Sequence, residues 1–246
     1  MSASLPRAIL FDLDDTLIMT RTPRDAAWAA VVEAFAPALH PLEPSAVVGA
    51  IRAEAQRFFG DPLNAALWRE SLPAARRAFV RQAFRSLCGA RAPLDEGLAD
   101  ALADRFTEAQ DAAWMLSPGA LETIEALRAA GVLLALVTNG DAGSQRAKVD
   151  RFELACRFDH IQIEGEHGFG KPDPRAYRHA LGAVGAAACD CWMVGDNLDW
   201  EVAAPQRLGI HAVWYDPGGV GVPAGAETRP DRVIRALSEL LGEPRA

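Results

Sequence analysis

The sequence predicts an α/β protein, a Rossmann-like core on a parallel sheet with an all-helical domain inserted into it. Three observations predict this. Short apolar runs alternate with helical stretches, the order that gives a parallel sheet with right-handed crossovers. A long Ala-, Arg-, Glu- and Leu-rich stretch, from about Met19 to Trp114, interrupts the alternation after the first run. The apolar runs end in residues able to do chemistry, as expected where ligands bind beyond the carboxyl ends of parallel strands. The division that follows assigns residues 1–18 and 117–246 to the α/β core and 19–116 to the helical insertion.

The first run, Ala8-Ile9-Leu10-Phe11, suits a buried strand and ends in Asp12-Leu13-Asp14-Asp15-Thr16. Carboxylates crowded in this way repel and raise one another's pKa, and a bound divalent cation removes that penalty. In an extended segment Asp12 and Asp14 face the same side, so one can act as nucleophile and the other as acid/base on one bound group. An Asx-type turn closed by Asp15 and Thr16 is the plainer alternative for this stretch alone.

The insertion reads as helix after helix. Residues Asp25 to Leu39 carry Trp28, Val31, Val32 and Phe35 at helical spacing, Ser45 is the expected cap of a helix to Phe59, and Gly60-Asp61-Pro62 is a turn. Leu72 to Leu87 and Leu94 to Trp114 supply further amphipathic helices, with no strand among them. Trp28, Trp68 and Trp114 are expected in packing. The stretch has no lysine and no catalytic constellation.

Alternation resumes at Ser117-Pro118-Gly119, where Ser117 is the expected cap of a helix to Ala130 ended by Gly131. The strand Val132 to Val137 leads into Thr138-Asn139-Gly140. A hydroxyl and backbone amides at a strand end make an oxyanion corner, although Asn-Gly is also an ordinary turn. Gln145 and Lys148 share a face of the next helix. A strand at His160 to Ile163 precedes a Gly-containing loop, then Lys171-Pro172-Asp173-Pro174 and a helix to about Val184. Lys148 and Lys171 are the only lysines in a chain whose other basic residues are arginines, so a rigidly presented Lys171 suits an anionic centre. Cys191 to Val194 is an apolar strand ending in Gly195-Asp196, with Gly195 expected to let the backbone approach a ligand and Asp196 placed to bind metal. Asp199 and Glu201 follow as supports, although acids also favour helix N-termini for their charge alone. A strand at Ala212 to Tyr215 and a helix from about Pro230 to Leu241 complete the chain. His160 and His211 are expected at strand edges, His167 and His179 at the surface or in loops.

Composition bounds the partners. With 246 residues, 50% of them hydrophobic, a sizeable core can form, and a formal net charge of −8 argues against nucleic acid. No apolar run reaches membrane-spanning length, and the first strand starts too near Met1 for a signal peptide, so a cytoplasmic monomer or homodimer without membrane partners is expected. Cys88, Cys156, Cys189 and Cys191 lack metal spacing and are expected to be reduced and structural.

As an ordered set, Asp12-x-Asp14-x-Thr16, Thr138, Lys171-Pro172 and Gly195-Asp196 resemble the four motifs of the haloacid dehalogenase-like (HAD) hydrolase superfamily, and the insertion resembles its C1-type cap. The resemblance implies that Asp12 attacks phosphorus to form an aspartyl-phosphate, that Asp14 protonates the leaving group and then activates water, and that Thr138, Asn139 and Lys171 bind the phosphoryl group. It implies Mg2+ on the Asp12 side chain, the Asp14 backbone carbonyl and the Asp196 side chain. Many relatives carry a second Asp where this chain has Glu201, which leaves Asp199 or Glu201 as the support. The implied substrate is a small soluble phosphate ester, a nucleoside monophosphate or sugar phosphate, selected by a helical lid. Thr138-Asn139-Gly140 with Gln145 and Lys148 is similar to the branch holding pyrimidine 5'-nucleotidases and N-acylneuraminate-9-phosphatases. Dehalogenation, phosphoryl mutation and plain phosphate binding are the alternatives. Asp14 argues for phosphoryl chemistry, because binding alone needs no acid/base.

Overall fold

The computed structural model describes residues 5–61, 64, 71–88 and 96–242. Pro62, Trp68 and Leu94 lie outside the described residues. The chain divides into two compact units, Met1–Met19 with Leu116–Ala246, and Thr20–Met115.

The first unit is built on a parallel sheet. Its strands are β1 (Ala8–Phe11), β4 (Leu133–Thr138), β5 (His160–Ile163), β6 (Cys191–Gly195), β7 (His211–Tyr215) and β8 (Arg232–Ile234), in the order β5-β4-β1-β6-β7-β8. The chain moves outward from β1 through β4 to β5, then returns to the other side of β1 for the rest. The order therefore reverses at β1, where open α/β sheets bind ligands. Phe11 sits level with Leu136 on one side and Val194 on the other, so β1, β4 and β6 deliver their next residues to the same edge. All four residues of β1 are fully buried, which explains its uninterrupted apolar sequence. Helices α6 (Ala120–Ala129), α7 (Ala142–Arg151), α8 (Glu164–His167) and α9 (Pro174–Val184) connect the strands. Leu10, Val137 and Met193 form one core cluster with Tyr177 and Leu181 of α9.

Local chemistry corrects several expectations. The helix expected from Pro230 is instead β8 followed by a 3-10 turn over Leu237–Leu241. Asp231 decides this: its Oδ2 accepts from Ala212 N at 2.8 Å and its own N–H donates to Ala212 O at 3.0 Å, drawing the segment onto the sheet edge. Helix α6 begins at Ala120 behind Gly119, whose φ of 74° is open to glycine at no steric cost. Ser117 contributes its carbonyl, not its hydroxyl, to that turn, accepting from Ala120 N at 3.0 Å. Short strands β2 (Ile18–Thr20) and β3 (Trp114–Leu116) pair as a ribbon where the chain leaves and rejoins the first unit, and three residues are too few for a period-two pattern to be read. All four cysteines are free, but only Cys191 is buried, and that burial pushes its thiol up to about 11. Cys156 and Cys189 are exposed.

The second unit holds α1 (Arg24–Ala34), α2 (Ala36–Leu39), α3 (Pro44–Gly60), α4 (Leu72–Cys88) and α5 (Glu96–Ala113). Its core gathers Val32, Ile51, Phe79, Phe84 and Leu102 around Trp28, which stacks on Phe106 with ring centroids 3.7 Å apart. Ser45 falls within the first turn of α3, because Pro44 takes the first helical position that its fixed φ suits.

Candidate active site

Asp12 extends the β1 ladder by one bond, its N–H donating to Val194 O at 2.9 Å. The chain then folds tightly: Leu17 N and Ile18 N both donate to Leu13 O at 2.9 Å, and Asp15 adopts a φ of 59°, a region Asp tolerates. The reversal comes at Asp15, directly after Asp14, and the two carboxylates meet different partners. Asp12 is buried; Oδ1 accepts from Lys171 Nζ at 2.5 Å and Oδ2 from the Thr16 hydroxyl at 3.0 Å. Asp14 is half-exposed; Oδ1 accepts from Lys148 Nζ at 2.6 Å and Oδ2 from Gln145 Nε2 at 2.8 Å.

Gln145 links the groups. Its Nε2 also donates to the Thr138 hydroxyl at 2.5 Å, and its Oε1 accepts from Lys148 Nζ at 2.7 Å. One face of α7 therefore holds Asp14 and the buried Thr138 hydroxyl together. The sequence places Gln145 and Lys148 on one helix face, and the structure brings that face onto Asp14. The sequence signal at Lys148 is the same as at Lys171: a lysine in a chain whose other basic residues are arginines.

Lys171 is fully buried and bridges two acids, Asp12 at 2.5 Å and Glu201 at 2.7 Å. Its backbone is held on both sides by Asn139, whose Oδ1 accepts from Lys171 N at 2.8 Å and whose Nδ2 donates to Lys171 O at 2.6 Å. The Asn139 side chain thus positions the lysine. Gly170 makes this approach possible, since a Cβ there would lie 2.6 Å from Asn139 Oδ1.

Glu201 stands on a π-helical turn, Leu198–Ala203, after β6. It is fully buried and its Oε2 accepts from Asn197 N at 2.8 Å. Asp199, on the same turn, is exposed, so Glu201 is the acid facing inward. The space at Gly195 belongs to Glu201, not to a ligand: a Cβ there would sit 2.1 Å from Glu201 Cγ. Asp196 is anchored through its carbonyl, which accepts from Trp214 Nε1 at 2.7 Å.

The charges do not balance locally. Burial, reinforced by Glu201 and Asp196, pushes Asp12 up to about 8 although Lys171 opposes it. Burial together with Glu201 and Asp15 pushes Asp196 up to about 7. Lys171 is pulled down by burial, but Asp12 and Glu201 outweigh that and hold it above the usual lysine range. Buried oxygen donors with excess negative charge are the set a hard divalent cation requires, and Asp12 with Asp196 fits Mg2+ in donor type and charge.

A model of the haloacid dehalogenase-like hydrolase family matches residues 6–209. The phosphoserine phosphatase of Thermus thermophilus is 40% identical over 126 residues, covering 51% of this chain and 50% of that protein. The chain thus spans about half the length of that relative. The N-acylneuraminate-9-phosphatase of Homo sapiens is 25% identical over 254 residues, covering 98% and 94%. Among solved structures, a 2-haloacid dehalogenase from Pseudomonas syringae pv. Tomato superposes with a TM-score of 0.63 at 28% identity, covering 96% of this chain and 97% of that one.

Proposed function

The chain belongs to the haloacid dehalogenase-like hydrolases, and from that premise we propose that it hydrolyses a small soluble phosphate monoester through an aspartyl-phosphate. The observation that carries the reading is the separation of two carboxylates onto two lysines, Asp12 on Lys171 and Asp14 on Lys148. Asp12 Oδ attacks phosphorus, the bond from phosphorus to the ester oxygen breaks, and the departing oxygen takes its proton from Asp14. Water then gives its proton to Asp14 and attacks phosphorus. The bond to Asp12 breaks and inorganic phosphate leaves. Lys171 and the Thr138 hydroxyl orient the phosphoryl oxygens and offset their charge as it shifts. Asn139 holds Lys171 in place, and Gln145 with Lys148 set the orientation of Asp14.

The Asp12 and Asp196 side chains with the Asp14 backbone carbonyl would hold Mg2+, which when bound supplies the positive charge that keeps both carboxylates ionised. The reactive groups all come from the α/β unit, so we assign the choice among nucleoside monophosphates and sugar phosphates to the helical unit. A dehalogenase reading draws on the 28% identical structure. A halide, however, leaves carbon without a proton, whereas an alkoxide leaving phosphorus needs one, and Asp14 has a role only in the second case. The test is turnover of p-nitrophenyl phosphate with Mg2+ and with chelator, beside halide release from a 2-haloacid. Phosphatase activity lost in chelator, with no halide released, is the expected result. Halide release without phosphatase activity overturns the proposal.

A further inference from the structure

His160, His167 and His179 carry no part of the chemistry above, yet the fold brings them together. We propose that they form a second metal site, for a divalent transition ion of the zinc class. His160 opens β5, His167 ends α8 and His179 lies within α9. One ligand nitrogen from each lies within 4.8 Å of those of the other two.

The orientation of the rings goes beyond packing. His167 Nδ1 faces the Ile163 carbonyl at 3.1 Å, and His179 Nδ1 faces Gln162 Oε1 at 2.8 Å. A backbone carbonyl can only accept, so His167 Nδ1 carries the proton and its lone pair resides on Nε2; with Gln162 Oε1 as acceptor, His179 takes the same tautomer. Metal-binding histidines are held in this way, one nitrogen donating to an oxygen and the other free to ligate. His160 Nε2 is buried and has no hydrogen-bond partner. A buried polar atom left unpaired is costly, and an ion shared with His167 and His179 satisfies it. Phe169 forms an apolar wall, its ring centroid 6.0 Å from that of His167 and 5.8 Å from that of His179.

Three imidazoles and no carboxylate select against Mg2+ and for Zn2+, Co2+, Ni2+ or Cu2+. Zinc–nitrogen bonds of about 2.0–2.1 Å bring tetrahedral ligands closer together than 4.8 Å, so ring rotations close the site on the ion. Three protein ligands leave the fourth position to water. The segment that presents Lys171 runs between His167 and His179, so an ion here ties both ends of that segment to β5.

The experiment titrates the full chain, saturated with Mg2+, with Zn2+ by calorimetry and with Co2+ by visible spectroscopy. One equivalent of zinc per chain, the visible bands of tetrahedral nitrogen-ligated cobalt and a raised melting temperature are expected. His179→Phe keeps an aromatic ring in the cluster but removes a ligand, and His167→Gln removes another. Each should weaken zinc binding at least about tenfold while p-nitrophenyl phosphate turnover reports an intact fold. Asp196→Asn, and Cys156→Ser with Cys189→Ser, should leave the zinc stoichiometry and cobalt bands unchanged. The proposal is overturned if wild type binds no equivalent of zinc, if the histidine variants bind it as tightly as wild type, or if Asp196→Asn or the cysteine variant abolishes binding.

Discussion

The two units place the same kind of ion pair in opposite surroundings. In the helical unit, Arg77 meets Asp104 at 2.7 Å with side chains 46% and 38% exposed, and Arg85 meets Glu96 at 2.8 Å with 54% and 51% exposed. In the α/β unit, Lys171 meets Asp12 and Glu201 with exposures of 1%, 9% and 1%. Water screens the first pairs, and side-chain entropy offsets much of what remains. The second pairs have given up hydration that their mutual attraction need not restore. Even in contact with a lysine, Asp12 is pushed up to about 8 by its burial and by Glu201 and Asp196. The exposed arginine pairs keep their charges in water, whereas the Lys171 pairs keep theirs where little water screens them. Lysine usually lies at the surface, yet both lysines of this chain are buried.

The comparison can be broken most sharply at Asp12. Asp12→Asn should bring p-nitrophenyl phosphate turnover down to background, because an amide is a poor nucleophile. Asp14→Asn should lower turnover by about 10²–10⁴-fold and let phosphoenzyme accumulate, visible in the intact mass. Near-wild-type turnover in the Asp12 variant rules out the covalent route.

The next effect is on stability. Lys171→Ala leaves Asp12 and Glu201 buried without their counter-ion, so urea unfolding of the metal-free protein should show a loss of about 3–5 kcal/mol. Lys171→Arg should not restore turnover, since a planar fork does not replace a point charge. A variant as stable as wild type would place this pair with the surface ones.

A smaller effect follows from pH. Asp12 and Asp196 are raised from 3.8 to about 8 and about 7, so the folded metal-free protein binds more protons than the unfolded chain across that window. Their contribution to stability is therefore present below about pH 4 and is lost as pH rises through about 7 and 8. Mg2+ held as proposed would reverse the loss, so the melting-temperature rise on adding Mg2+ should be larger at about pH 8 than at about pH 5. A rise independent of pH argues that these carboxylates do not face the ion. Smallest of all, Arg77→Ala should leave the melting temperature unchanged within error, and a clear drop would show that exposure does not separate the two kinds of pair.

Much of the α/β unit was legible because β1, β4 and β6 are buried on both faces and so announce themselves as apolar runs; β5 and α9 also fall where the sequence places them. Strand β8 was not, since Arg232-Val233-Ile234 is too short for a pattern and its pairing depends on Asp231 reaching Ala212. At the site, Asp12, Thr138 and Asp196 were legible as polar residues following apolar strands. The hold of the Asn139 side chain on Lys171 was not, because its two bonds join residues 32 apart. Likewise, only the path of the turn after β6 separates buried Glu201 from exposed Asp199.

The sequence by itself determined the alternation of strand and helix, the helical insertion and the acids at strand ends, because these are matters of local pattern and composition. Tertiary structure alone decided which carboxylate met which cation, that Gly195 yields its space to Glu201, and that three histidines without a spacing motif share one place. Those outcomes depend on distances between residues remote in the chain, and on burial, which sets how strongly each charge is felt.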